Sequence, residues 1–113
     1  MSGDFVLNPP GKVDLGLAWM PSGAHVQWVV GVVADRVQDA ALAAQLREFL
    51  AGDYSFITLG IFTAAQAAEI MRVIRESLMS AAEAQFAGNE LVLSRTAELV
   101  EMVERAEAAP DAG

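Results

Sequence analysis

Two segments of the chain share one pattern: an apolar run rich in β-branched and aromatic residues ends at a residue that suits a helix N-cap. The run Val26–Ala34 ends before Asp35 and the run Tyr54–Phe62 ends before Thr63, each with a Gln three positions beyond the cap. This is the capping-box spacing, in which the cap side chain accepts from the first helical turn and the Gln reaches back. The pattern predicts two strand-to-helix transitions. The Asp35 box is the weaker, because a capping box prefers Ser or Thr.

The first half of the chain is predicted to form a hairpin followed by a βαβ unit. Val13–Trp19 alternates large apolar residues with smaller or polar ones, and a Pro-Ser-Gly turn leads into a returning strand over His25–Val33. Arg36–Ala51 is rich in helix formers and ends before Gly52. Tyr54–Phe62 then supplies the third strand, because its residue types prefer a sheet.

The second of these strands has a helical alternative. The valines of this segment also follow helical spacing, at Val26, Val29, Val30, Val33 and Val37. A single helix from Ser22 to Leu50 would remove the hairpin and turn the protein into an all-α helical bundle. Five valines and a glycine within eight residues favour the strand, since these types suit a pleated sheet better than a helix interior.

The second half of the chain predicts an αα-hairpin. Ala64–Ala87 and Glu90–Ala108 both carry apolar stripes at helical spacing, and Gly88-Asn89 provides a helix stop followed by a new N-cap. The predicted fold is therefore α+β, a small mixed three-stranded sheet (hairpin plus βαβ) covered by this αα-hairpin. Residues 1–109 form the single globular domain, and residues 110–113 are expected to be a flexible tail.

Composition and charge exclude several classes of function. At 113 residues the chain suits one domain, and its net charge of −8 with Lys12 as the single lysine disfavours contact with nucleic acid and with membrane surfaces. No cysteine is present, which excludes disulfides and thiolate metal sites. Met1–Asp4 lacks the basic start of a signal peptide, so we expect a cytoplasmic protein.

Residues for catalysis are few. His25 is the one histidine, and its chemical role would be that of a general base with Asp14 or Asp53 brought near by folding, although nothing in the spacing supports that pairing. A surface or hydrogen-bonding role is the plainer interpretation. The glycines and acidic residues match no phosphate-binding or metal-binding motif. We therefore assign no catalytic, cofactor-binding or metal-binding residue.

Apolar surface on the long helices and the paired indoles of the predicted hairpin indicate a candidate interaction surface. It consists of Met71, Leu78, Met79, Phe86, Trp19 and Trp28. The opposing interpretation is that the sheet buries the helical residues and that both indoles are core anchors. The surface suits a homodimer or a docking groove for another protein.

These observations predict a small acidic protein-binding module without catalytic activity, such as an inhibitor, an immunity or antitoxin-like factor, or an adaptor. Its acidity would attract a basic protein partner, or would serve solubility alone. One alternative is a small-molecule-binding domain or minor enzyme whose pocket includes Trp19, Trp28, His25 and Tyr54. Another is a structural homo-oligomer.

Overall fold

Residues 2–113, which the computed structural model describes, form three short strands and four helices. In chain order these elements are β1 (Asp4–Val6), β2 (Ala18–Trp19), α1 (Gly23–Arg36), α2 (Ala40–Ala51), β3 (Phe56–Thr58), α3 (Ala64–Gln85) and α4 (Glu90–Ala108), with a 3₁₀ turn at Leu59–Ile61. The α+β class, the mixed three-stranded sheet and the C-terminal αα-hairpin are confirmed.

The sheet has the order β2-β1-β3, with β1 antiparallel to β2 and parallel to β3. Phe5 pairs with Trp19 on one side and with Ile57 on the other. Because side chains alternate between the faces of a sheet, these three residues share one face, and all three are buried. α1 packs against β1 and α4 against β2, and the remaining helices complete the core around them.

The predicted strand His25–Val33 is wrong, because this segment lies in the helix α1. Its valines, including Val26, Val29 and Val33, are buried at the centre of the molecule. A valine costs about 0.5 kcal/mol in helix propensity, whereas its burial contributes about 1.5–3 kcal/mol, so tertiary packing outweighs the local preference. The helical spacing of the valines was the correct signal, although α1 ends well before Leu50.

The Asp35 capping box is wrong for the same reason, since Asp35 lies in the last turn of α1. The chain leaves the helix at Val37, whose backbone is extended, and a new helix begins after Asp39. The Asp39 carboxylate accepts hydrogen bonds from the backbone N–H groups of Ala41 and Leu42. The predicted helix over 36–51 is therefore shortened to α2 at its start.

The predicted strand Val13–Trp19 is also longer than the observed β2, and its true partner was missed. Val13 and Leu15 are exposed in the loop that joins β1 to β2. The antiparallel hairpin forms instead between β2 and the N-terminal strand β1. A strand of three residues is too short to show clear periodicity in the sequence. β1 is recognisable only in the structure, where Phe5 and Leu7 are both buried.

The second capping box and the αα-hairpin are confirmed. Thr63 accepts from the Gln66 backbone N–H, and the Gln66 side chain accepts from the Thr63 backbone N–H. Gly88 takes a φ of +84°, a conformation that glycine adopts without strain, and Asn89 caps α4 by accepting from Val92. Both long helices thus begin where their local sequence signals predict.

The residues predicted to form a tail are tied to the loop between β1 and β2. The Val13 backbone N–H donates to the Pro110 carbonyl, and the Ala112 N–H donates to the Gly11 carbonyl. The Lys12 ammonium donates to the carbonyls of Glu107 and Ala109, which lie at the end of α4. A cation here also complements the negative end of the helix dipole. Within residues 2–113, no helix is long and apolar enough to cross a lipid bilayer.

Candidate functional site

Three adjoining surface hollows follow the exposed side of α1 where it meets α3 and α4, and we call them together the aromatic groove. The first has a volume of about 450 Å³, the second about 220 Å³ and the third about 270 Å³. Ser22, His25 and Val92 border both the first and the second, and Trp28 borders both the second and the third. These shared residues join the three hollows into one trough along α1. A fourth hollow, which Asp53 lines, adjoins the second at Ser22 and Ala24.

Aromatic rings form the floor of this groove. Trp28 and Phe86 meet edge to face with their ring centroids 4.9 Å apart, and both are half-buried. His25 packs edge to face on Trp19, with 4.8 Å between the ring centroids. Pairs in this geometry contribute about 0.5–1.5 kcal/mol beyond the burial of their area. The rings therefore hold one another in place and give the groove a stiff floor.

His25 makes one side-chain hydrogen bond, to Thr96 of α4. Its Nε2 lies 3.0 Å from the Thr96 Oγ1, and that hydroxyl lies 2.8 Å from the Val92 carbonyl oxygen. A carbonyl only accepts, so the hydroxyl proton goes to Val92 and the hydroxyl oxygen accepts from His25. The neutral imidazole therefore carries its proton on Nε2. Its bond joins the start of α1 to α4.

Two effects keep this imidazole neutral. Burial lowers the pKa of His25 below its ordinary value of 6.5, and the nearby Arg95 guanidinium lowers the pKa further. Both effects act against the charged form, because burial removes water and Arg95 repels a second cation. His25 is thus a neutral ring within an apolar cluster at physiological pH.

The predicted acidic partners of His25 do not reach it. Asp53 accepts a hydrogen bond from the Gln27 side chain, and Asp14 accepts from the Gly16 backbone N–H. The Thr96 hydroxyl is fully buried and is engaged by two partners. The pairing of His25 with Asp14 or Asp53 is therefore wrong, and His25 serves to position α1 against α4.

Large exposed apolar side chains form the rim of the first hollow. Met20 is 66% exposed and Leu91 is 68% exposed, and both line this hollow beside Arg95. The backbone that carries Arg95 is held by Trp19, whose indole N–H donates to the Arg95 carbonyl at 2.8 Å. Exposed apolar side chains thus lie at the edge of a groove that has an aromatic floor.

The predicted interaction surface is divided by the fold. Trp19, Met71 and Leu78 are buried within the chain, whereas Trp28, Met79 and Phe86 are half-buried. Trp28 and Phe86 line the aromatic groove. That part of the surface stays a prediction.

Sequence reasoning missed Leu91, Val92 and Arg95 as groove residues. Their signal was weak: Leu91 precedes the buried stripe of α4, and an exposed leucine at the start of a helix is common. Tyr54, which was expected near Trp28 in a pocket, packs on Phe49 instead, with 5.9 Å between the ring centroids.

The described part of the chain offers no metal centre, since no three His, Cys, Asp or Glu residues within 2–113 are grouped to hold an ion. No family model, curated protein or solved structure shows significant similarity to the chain.

Proposed function

We propose that the protein is a binding module without catalytic activity that docks a segment of another protein in the aromatic groove. The observation that carries this proposal is that the exposed Met20 and Leu91 line one hollow and the half-buried Trp28 and Phe86 line the hollow that adjoins it. Aromatic residues and methionine are enriched at the centres of protein interfaces. Met20 and Leu91 line the same hollow, and exposed apolar residues that are grouped in this way are more typical of an interaction site than scattered ones are.

The shape of the groove supports a macromolecular ligand over a small molecule. Small ligands are usually enclosed on most sides, whereas the three hollows form a trough that is open to solvent. A trough between helices suits an extended or helical segment that presents apolar side chains at intervals.

The rigidity of the groove also supports binding. The bonds from Trp19 to Arg95 and from His25 to Thr96 fix α4 against the rest of the core. A site that is already ordered loses little conformational entropy when its ligand arrives. Roles as an inhibitor, an immunity or antitoxin-like factor, or an adaptor all use such a site, and we place this role in the cytoplasm.

Affinity capture from the native host, with a matched pair of variants, tests the proposal. Leu91→Ser removes an apolar side chain from the rim, and Ile61→Ser removes a similarly exposed one, 65% exposed, from the 3₁₀ turn outside the groove. We expect a partner to be recovered with the wild type and with Ile61→Ser but not with Leu91→Ser. Recovery of no partner, or equal recovery with both variants, would refute the proposal.

A homodimer through the same surface is the second candidate, favoured by the exposure of Met20 and Leu91. Light scattering of the purified protein decides between the two. A dimer mass that becomes a monomer mass in Leu91→Ser would favour self-association, and a monomer mass throughout favours a different partner.

A further inference from the structure

The charged side chains that line the aromatic groove differ from those of the surface as a whole. The chain has fifteen acidic and seven basic side chains. Among the residues that the structure describes, however, none of those lining the three hollows is a carboxylate, and two of them are arginines. Arg95 borders the first hollow and Arg36 the third. The lining of the groove thus presents two arginines on a surface that is acidic overall, with Glu98 paired to Arg95 and with Asp53 lining a fourth hollow beside the second.

We infer that the segment bound in the groove carries carboxylates flanking its apolar anchors, so that an acidic peptide segment, and not a basic one, is the ligand. This inference rests on the proposed function and names the chemistry of its partner. Arginine binds carboxylates with paired, charge-assisted hydrogen bonds. The predicted attraction to a basic partner would then apply to other faces of the protein.

Both arginines are available to such a ligand. Arg95 contacts Glu98 at 3.7 Å, and both side chains of this pair are about half-exposed. A loose surface pair contributes little, so a carboxylate on the ligand competes with Glu98 at small cost. Arg36 makes a long hydrogen bond of 3.4 Å to the Val32 carbonyl.

The start of α1 adds to the positive character of the groove. Ser22, the N-cap of this helix, borders the first two hollows, and the first turn contains no acidic residue. Unpaired N–H groups at a helix start carry partial positive charge. From His25 at this end to Arg36 at the other, α1 covers about 16 Å, at about 1.5 Å per residue. The groove is thus long enough for a segment of several residues with an acid near each end.

A displayed library of random twelve-residue peptides, selected on the immobilised full-length protein, supplies the probe. Enriched peptides are then synthesised, and their Kd values are measured with wild-type protein, Arg95→Gln, Arg36→Gln and the control Arg105→Gln. Arg105 lies on α4, is exposed and does not line the groove. Each of the three variants loses one positive charge relative to the wild type. The Arg105→Gln control therefore separates the loss of a local contact from the change in net charge.

We expect enriched peptides to combine aromatic or aliphatic residues with Asp or Glu. Loss of one solvent-exposed charge pair raises Kd by at most about fivefold. Arg95→Gln and Arg36→Gln should show this effect, and Arg105→Gln should leave Kd unchanged. Replacing all the acids of the peptide by Asn or Gln should raise Kd at least as much as either substitution alone, and should abolish the difference between wild type and Arg95→Gln.

Three outcomes would overturn the inference and differ in what they say of the proposed function. Neutral or basic apolar peptides that bind wild type and Arg95→Gln equally, and lose binding in Leu91→Ser, overturn the charge inference and leave the binding function standing. Enrichment of no peptide overturns both. Saturable binding of laurate that quenches tryptophan fluorescence, in the absence of peptide binding and with loss of the effect in Leu91→Ser, assigns the groove to an anionic lipid and also overturns both.

Discussion

The Thr96 hydroxyl joins the two helices that frame the groove, and Thr96→Val isolates its contribution. The substitution keeps the shape of the side chain and removes the oxygen that accepts from the His25 Nε2–H. The Val92 carbonyl loses the same hydroxyl but keeps its place in the helix, where carbonyls accept from the residue four positions on. The imidazole N–H is the group left without a partner.

The expected cost follows from that unsatisfied donor. A buried polar group without a hydrogen bond costs about 1–3 kcal/mol. His25 is half-buried beside a hollow, so water offers partial compensation and we expect the lower part of that range, about 1–2 kcal/mol. For a domain of this size the melting temperature should fall by about 4 °C for each kcal/mol.

Chemical unfolding of a double-mutant cycle measures this coupling. In a His25→Phe background no N–H remains to be satisfied, so Thr96→Val should cost less than about 0.5 kcal/mol there. If Thr96→Val has the same effect in both backgrounds, or none in the wild type, the hydrogen bond does not join the helices as described. Circular dichroism of each variant checks that the fold is retained.

Three further predictions concern the same scaffold. His25 is the one histidine of the chain, and its pKa is lowered in the folded state. The unfolded chain therefore binds a proton more readily, and stability should fall as pH decreases from 7 through 6.5 towards the lower folded pKa. In urea titrations, the free energy of unfolding of His25→Phe should fall less over this pH range than that of the wild type. An equal dependence on pH in both proteins would contradict a lowered pKa for His25. Leu78→Ala should cost about 2–5 kcal/mol, because Leu78 is fully buried. Met79 is half-buried, so Met79→Ala should lower the free energy of unfolding clearly less than Leu78→Ala does. Equal losses would count against the observed burial of Leu78 and partial exposure of Met79. Thr63→Ala should cost about 1 kcal/mol by removing the cap of α3, whereas Ser80→Ala at an exposed site within α3 should stay within about 0.5 kcal/mol. Thermal melts that show no difference between these two variants would argue against the capping box.

The central position of α1 explains how the groove arises. α1 contacts the sheet, α2 and α3, which leaves its His25 and Trp28 side towards the start of α4. A helix buried on most sides tolerates the many valines of this sequence. The groove is the remaining part of its surface that the αα-hairpin covers incompletely.

The sequence by itself determined the local signals of the second half of the chain. Thr63 and Gln66 form their box, Gly88 takes its positive φ, and Asn89 caps α4, because each of these depends on atoms within a few residues. The stripes of α3 and α4 likewise predicted an αα-hairpin. Local chemistry decides where such helices begin and end.

Only the tertiary structure decided the state of Val26–Val33 and the position of the candidate site. Packing on several sides made this β-branched segment a helix, and the strand that pairs with Trp19 came from before it in the sequence, at Phe5, and not from the segment after it. The groove brings His25 together with Thr96, which is 71 residues distant. Such contacts depend on long-range burial and chain topology, which a local pattern of residue types does not encode.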